Sequence, residues 1–160
     1  MASKLEIEIE LKSDVEKMWK HFKEFTKLFP KACPHLYEKI DVIEGDGISV
    51  GTIFVSTLKP TELNPVVMVT KEKIDFLDDE NKMLRYSYME GEILKNYKNL
   101  RGTVHMSSSK SGGTIFKYSG EFEKANEQVP DPVFFKDFMV IVFQGLDDYI
   151  LKGMNHTCQN

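Results

Sequence analysis

Residues 4–11, KLEIEIEL, alternate without a break: Leu5, Ile7, Ile9 and Leu11 against Glu6, Glu8 and Glu10. A period of two predicts a strand with one face on a core and the other in water. The period then changes. Ser13 and Glu16 have the spacing of a capping box, with Ser13 as N-cap. Val15, Met18, Trp19, Phe22 and Phe25 follow at helical intervals, which predicts a helix to about Glu24. The stretch TKLFPKACP predicts a second, short helix closed by Pro34.

From Tyr37 to Glu123 the pattern predicts strand after strand, at 38–43, 51–58, 66–77, 82–91, 98–106 and 113–123. DDEN at 78–81 and SKSGG at 109–113 have the composition of hairpin turns. VPDP opens a final helix: Asp131 is suited to cap it and Pro132 to its first turn. That helix extends to about Lys152. No linker, repeat or low-complexity tract divides the chain, so residues 1–160 are expected to form one domain. One sheet covered by one long helix is an α+β plan.

Alternation assigns faces within the sheet. Phe116, Tyr118, Gly120 and Phe122 share one side, as do Leu84, Tyr86 and Tyr88, and Leu100, Gly102, Val104 and Met106. Gly102 and Gly120 leave room where a core would want side chains, as a cavity would. In the strand at 66–77, Met68, Thr70, Glu72, Ile74 and Phe76 oppose Lys71, Lys73 and Asp75. Glu72 thus falls on the apolar side, provided no bulge intervenes. A carboxylate there is costly unless paired, and desolvation would raise its pKa. On the final helix, Phe134, Phe135, Phe138, Ile141, Val142, Leu146 and Tyr149 form the apolar face, with Asp137, Gln144, Asp147 and Asp148 opposite.

Composition narrows the function. At 41% hydrophobic and 29% charged residues, the chain is too apolar for disorder. Its net charge of -4, with no Lys/Arg cluster, argues against nucleic acid as a partner. The charged, alternating start is not a secretory signal, and FMVIVF at 138–143 is far short of a membrane span. Cys33 and Cys158 do not make a disulfide framework, so a reducing, cytoplasmic setting is expected, where the Asn155 sequon carries no meaning. Four scattered histidines and two distant cysteines have no metal-ligand spacing. No metal or other cofactor is expected.

The glycine-rich EGDGISVGT, Glu44–Thr52, raises the question of phosphate binding. A Walker-type loop needs a lysine after its last glycine and a helix behind it. Here Thr52 follows Gly51, and both flanks have strand patterns. A hairpin turn whose glycines adopt positive φ is the expectation.

The segments LFPKACP, EGDG…VGTI, YMEGEIL and GGTIFKYSGEFEKANEQVPDP, in this order before a C-terminal helix, resemble the plant major latex protein family over nearly the whole chain. They are similar, more distantly, to the birch-pollen allergen and pathogenesis-related class 10 proteins. The resemblance implies a START-like, helix-grip fold. A seven-stranded curved antiparallel sheet would wrap around the long C-terminal helix, with two short helices at one end and an internal apolar cavity. It also implies a small hydrophobic plant metabolite as partner. Some relatives are cofactor-free enzymes that condense, cyclise or isomerise alkaloid or iridoid intermediates.

Two functions from different classes follow. One is a carrier, buffer or receptor for a hydrophobic metabolite, lined by Phe54, Met68, Tyr88, Leu100, Val104, Phe116, Tyr118, Phe135, Phe138 and Val142. The other is a cofactor-free cyclase or isomerase, in which Glu72, Tyr86 and His35 are the candidate proton-transfer groups. No inward position assigned here carries a lysine, so the base of the condensing relative is not reproduced, and no GxSxG marks a serine nucleophile. The cavity-like glycines argue against a purely structural module. Pathway enzymes as further partners, and a monomer or weak dimer, complete the expectations.

Overall fold

A computed structural model of the chain describes residues 2–62 and 66–153. The element order is β1 (Ser3–Leu11), α1 (Val15–Phe22), α2 (Phe25–Ala32), β2 (Tyr37–Glu44), β3 (Ile53–Leu58), β4 (Met68–Asp78), β5 (Met83–Gly91), a 3-10 turn (Glu92–Lys95), β6 (Tyr97–Ser108), β7 (Thr114–Lys124) and α3 (Val133–Leu151). The seven strands form one antiparallel sheet in the order β1-β7-β6-β5-β4-β3-β2. Asn155, His156 and Cys158 lie outside the described residues.

Bulges decide which side chains face inward. Between β4 and β5 there are two. At the first, Lys71 and Glu72 are consecutive while their partners Glu90 and Tyr88 are two apart, so the extra residue is on β5 and Glu72 keeps its inward side. At the second, Ile74 pairs with Tyr86 and Phe76 with Arg85, so the extra residue is Asp75 on β4. That step turns Phe76 outward. It is 38% exposed, with the Arg85 guanidinium 4.9 Å from its ring centre. The expectation that Phe76 faces inward is therefore corrected by the bulge.

Gly102 and Gly120 do not border empty space. A Cβ on Gly102 would stand 2.7 Å from the Tyr118 hydroxyl and 2.8 Å from the Tyr86 ring. The two tyrosines lie over Gly102, and their hydroxyls are 2.9 Å apart. Glycine is required at 102 by this close approach rather than by a void, and at Gly120 the Tyr118 ring would stand 3.3 Å from a Cβ.

Helix ends also differ from the pattern. The side chain of Asp14, not Ser13, accepts the Lys17 amide at 3.0 Å and caps α1. At α3 the N-cap is Pro132, which makes no side-chain cap bond. Asp131 contributes its carbonyl to the Val133 amide, and its carboxylate pairs with Lys124.

Asp147 departs furthest from expectation. It does not face water with Asp137 and Gln144. It is 5% exposed, and its carboxylate accepts the Lys12 amide at 2.8 Å and the Ser13 amide at 3.0 Å. Two backbone donors at the β1–α1 junction thus hold the C-terminal half of α3, 134–135 residues away in sequence. Around this point Phe143 stacks on Phe116 at 4.0 Å between ring centres, and Leu146 is fully buried.

The glycine loop closes β2 onto β3. Gly45, Gly47 and Gly51 all have positive φ, as a tight turn needs. Asp46 accepts the Ile48 and Ser49 amides and the Ser49 hydroxyl. These donors hold the Asp46 carboxyl down at about 2. The amides that would cradle a phosphate are already taken by the loop's own carboxylate.

These contacts rank three substitutions by stability. Ser13→Ala should leave stability within about 0.5 kcal/mol, because its hydroxyl makes no hydrogen bond. Asp14→Ala should cost about 1 kcal/mol through the lost cap. Asp147→Ala should cost about 3 kcal/mol, since two amides lose a charged acceptor. Urea unfolding of the three variants checks the order, and a large loss at Ser13 with none at Asp147 would contradict it.

Candidate functional site

A cavity of about 110 Å³ lies between the sheet and α3. Its walls come from almost every element. Phe22 of α1 and Phe25 and Phe29 of α2 close one end. Tyr37 and Ile40 of β2, Phe54, Ser56 and Leu58 of β3, and Met68, Thr70 and Glu72 of β4 form one side. Leu84, Tyr86 and Tyr88 of β5, with Val104 of β6, form the floor, and Phe134, Phe135, Phe138, Met139 and Phe143 of α3 form the roof. Rings are in mutual contact around it: Phe25 with Phe54 at 5.0 Å, Tyr37 with Phe138 at 5.9 Å, and Tyr88 with Phe135 at 6.1 Å.

Of the expected lining residues, Phe54, Met68, Tyr88, Val104, Phe135 and Phe138 reach the cavity. Phe116 and Val142 do not, because α3 is packed directly on the sheet at that end and both lie in the solid core. Leu100 belongs to a second apolar cluster with Leu5, Ile93, Tyr97 and Phe122. Tyr118 stands one layer back and reaches the site through its hydroxyl contact with Tyr86.

Glu72 and Tyr86 line the cavity together; His35 does not. His35 lies half-buried in the turn between α2 and β2. Glu72 is 7% exposed and stands between Phe54 on β3 and Tyr88 on β5 in the strand register. The Thr70 hydroxyl donates to its Oε2 at 2.9 Å, and Ser56 donates as well. Burial pushes the Glu72 carboxyl up to about 7, against the pull of these two hydroxyls. Burial likewise raises Tyr37, Tyr86, Tyr88 and Tyr118, so all four phenols stay protonated at neutral pH.

Several lining residues were not singled out from the sequence. Ser56 and Leu58 follow Phe54 at a period of two, so alternation alone could have found them. Phe22 ends α1 while Phe25 and Phe29 lie on α2, and the local pattern of either helix does not say whether its apolar face meets core or cavity. Lys59 lies just beyond the strand positions that alternation assigned, and it lines the cavity. It follows β3 at the rim, where its ammonium donates to the Pro34 carbonyl at 2.7 Å. Among the described residues no group of His, Cys, Asp and Glu side chains could hold a metal ion, and no helix is long and apolar enough to cross a membrane.

The buried Glu72 makes stability pH-dependent in an unusual direction. A folded-state value near 7 lies above the unfolded one near 4.5, so the folded protein binds the extra proton between them. Stability therefore falls as pH rises through that window, by up to about 3 kcal/mol, and stays lower above it. Glu72→Gln should remove this slope and be the more stable protein at about pH 8. Urea unfolding at about pH 5 and pH 8 measures it, and a wild type that gains stability over this range relative to the variant would refute it.

Comparison with known proteins agrees with this architecture. Residues 1–153 match the Pathogenesis-related protein Bet v 1 family. MLP-like protein 423 of Arabidopsis thaliana is 42% identical over 148 residues, which is 92% of this chain and 94% of that protein. The crystal structure of ginseng major latex-like protein 151 from Panax ginseng is similar with a TM-score of 0.83 at 25% identity, over 92% of this chain and 97% of that one. Norcoclaurine synthase from Thalictrum flavum shares the fold, with a TM-score of 0.79 at 22% identity, over 95% and 88%. With a family match along nearly its whole length, and a sheet that grips one long helix, the chain belongs to the Pathogenesis-related protein Bet v 1 family.

Proposed function

We propose that this protein binds a small hydrophobic metabolite in the cavity, as a carrier, buffer or receptor. One observation carries the reading: the space between sheet and α3 is walled by aromatic and methionine side chains instead of being filled by them. Such a wall favours planar or terpenoid molecules, and flexible Met68 and Met139 let it adapt. Residues 1–160 then act as one ligand-binding domain, working in the cytoplasm as a monomer or weak dimer.

A second reading is favoured by the Glu72 group. A carboxyl raised to about 7, two hydroxyls on it, and the Tyr86–Tyr118 pair, with Tyr86 on the neighbouring strand β5 and Tyr118 two strands further on in β7, together can move a proton. On an enolisable carbonyl, the Glu72 carboxylate would take the proton from carbon while a tyrosine hydroxyl bonds the carbonyl oxygen. The protein would then be a cofactor-free cyclase or isomerase of iridoid or alkaloid intermediates. Folding the substrate and excluding water would supply most of its selectivity.

A fluorescent apolar dye should bind the native protein with a Kd of about micromolar. Phe138→Asp should weaken binding by about tenfold or more, because it puts a charge in the wall. Val50→Asp, on the exposed glycine loop, should leave binding unchanged. Equal loss in both variants, or none at Phe138 in a folded protein, would refute the cavity reading.

The enzyme reading has its own test. With reactive monoterpene and alkaloid intermediates, wild type should change rate or product distribution relative to buffer. Glu72→Gln and Tyr86→Phe should each lose about 10²–10⁴-fold of that effect while still binding dye. Identical products in buffer, wild type and variants would leave the carrier reading alone.

A further inference from the structure

The polar groups of the cavity are unevenly signed. Among the described residues, Glu72 is the one lining carboxylate and Lys59 the only lining base, at the rim and bonded to the Pro34 carbonyl. No Lys or Arg among the described residues makes an ion pair with Glu72. The interior is thus a single buried acid surrounded by aromatic rings.

Those rings are close in the fold. Phe54 and Tyr88 stand directly across from Glu72 on the two adjoining strands, and Phe25 packs on Phe54. Tyr86 lies beside Tyr88, with 5.7 Å between ring centres. A carboxylate among ring faces attracts an organic cation twice, by its charge and by the ring quadrupoles. An anionic ligand meets a like charge at the same place. A neutral hydrocarbon gains nothing from the acid.

The hydroxyls point the same way. Thr70 and Ser56 both donate to Glu72, so the site is arranged around an accepting carboxylate. What the described residues do not supply is the counter-charge that would hold that carboxylate ionised in an apolar enclosure.

We propose that the cavity takes a hydrophobic organic amine, bound as its ammonium against the Glu72 carboxylate between the Phe54 and Tyr88 rings. This rests on the cavity-binding reading above and narrows it to one ligand chemistry. Binding supplies the missing positive charge, and it releases the proton that burial keeps on Glu72 below about pH 7. The other titratable or charged groups around Glu72 are Tyr37 of β2, Tyr86 and Tyr88 of β5, Tyr118 of β7 and, at the rim, Lys59 after β3. Those on α3, Lys136 and Asp137, are exposed. Burial keeps the four tyrosines protonated, so they do not contribute a step near neutral pH.

The test uses three probes of one shape on the full chain: 2-naphthylmethylamine, 2-naphthylmethanol and 2-naphthoic acid. Each is titrated calorimetrically and by displacement of the dye. At about pH 8 the amine should bind about tenfold tighter than the alcohol, and the acid weakest. At about pH 5.5 the amine's advantage should shrink below about threefold, because Glu72 is then neutral. Glu72→Gln should bring amine and alcohol within about twofold of each other. If that variant does not fold, proton release by the wild type decides. Calorimetry in two buffers at about pH 6.5 should show protons leaving with the amine and none with the alcohol. An alcohol that matches the amine at pH 8, an amine preference that survives Glu72→Gln, or amine binding without proton release would each overturn the proposal. Failure of the dye and all three probes to bind would instead overturn the cavity-binding reading itself.

Discussion

The Asp147 carboxylate is the constraint from which the rest of the molecule follows. It draws the Lys12 and Ser13 amides onto the C-terminal half of α3. A single long helix lying on a curved sheet touches one strand set closely and stands off another. Where it is pinned decides where it stands off. With the pin at Asp147, the buried run from Val142 to Ile150 seals against β1, β7 and α1, and the Phe143–Phe116 stack fills that end. In the other half of α3, from Phe134 to Ile141, only Phe135 is buried, and Lys136 and Asp137 are exposed. There the helix roofs a space instead of closing it.

The floor of that space has its own requirement. Tyr86 and Tyr118 can lie flat against the sheet only because Gly102 has no side chain between them. Their hydroxyls then share one hydrogen bond at 2.9 Å, in which one donates and the other accepts. Glu72 gains no such closed arrangement. Its two hydroxyl donors offset part of the desolvation, and the raised pKa measures what they leave unbalanced.

Much of the fold was legible because its signals are local. Strict alternation in β1, turn residues at 78–81 and 109–113, and the 3.6-residue spacing of α3 all report on near neighbours. Glu72 was legible for the same reason: the bulge that could have turned it outward falls on the partner strand. Phe76 shows the opposite case. Nothing in MVTKEKIDFLD marks Asp75 as the extra residue, because a bulge is a property of a strand pair. Asp147 was read as solvated for a similar reason. Its partners are backbone amides more than 130 residues away, and a helical wheel has no term for them. Ring positions on α1 and α2 were legible as apolar, but whether apolar means core or cavity depends on where α3 stands off.

This geometry ties ligand chemistry to folding energy. A buried acid without a counter-charge destabilises the empty protein above its own pKa, so the group is an expensive way to fill a wall. An apolar residue of similar volume at position 72 would pack among Phe54, Tyr88 and Ile74 without that penalty. The neighbouring strands do nothing to relieve it: Lys71 and Lys73 point to the opposite face, and Lys71 is engaged with Glu90. No described residue supplies a cation to balance Glu72, so on the proposal above a ligand would bring it, or else the carboxyl would spend part of its time neutral and able to donate. Both alternatives are ligand chemistry rather than scaffold chemistry. On the proposal above, the same strain that weakens the fold would give the cavity its preference among molecules of one shape.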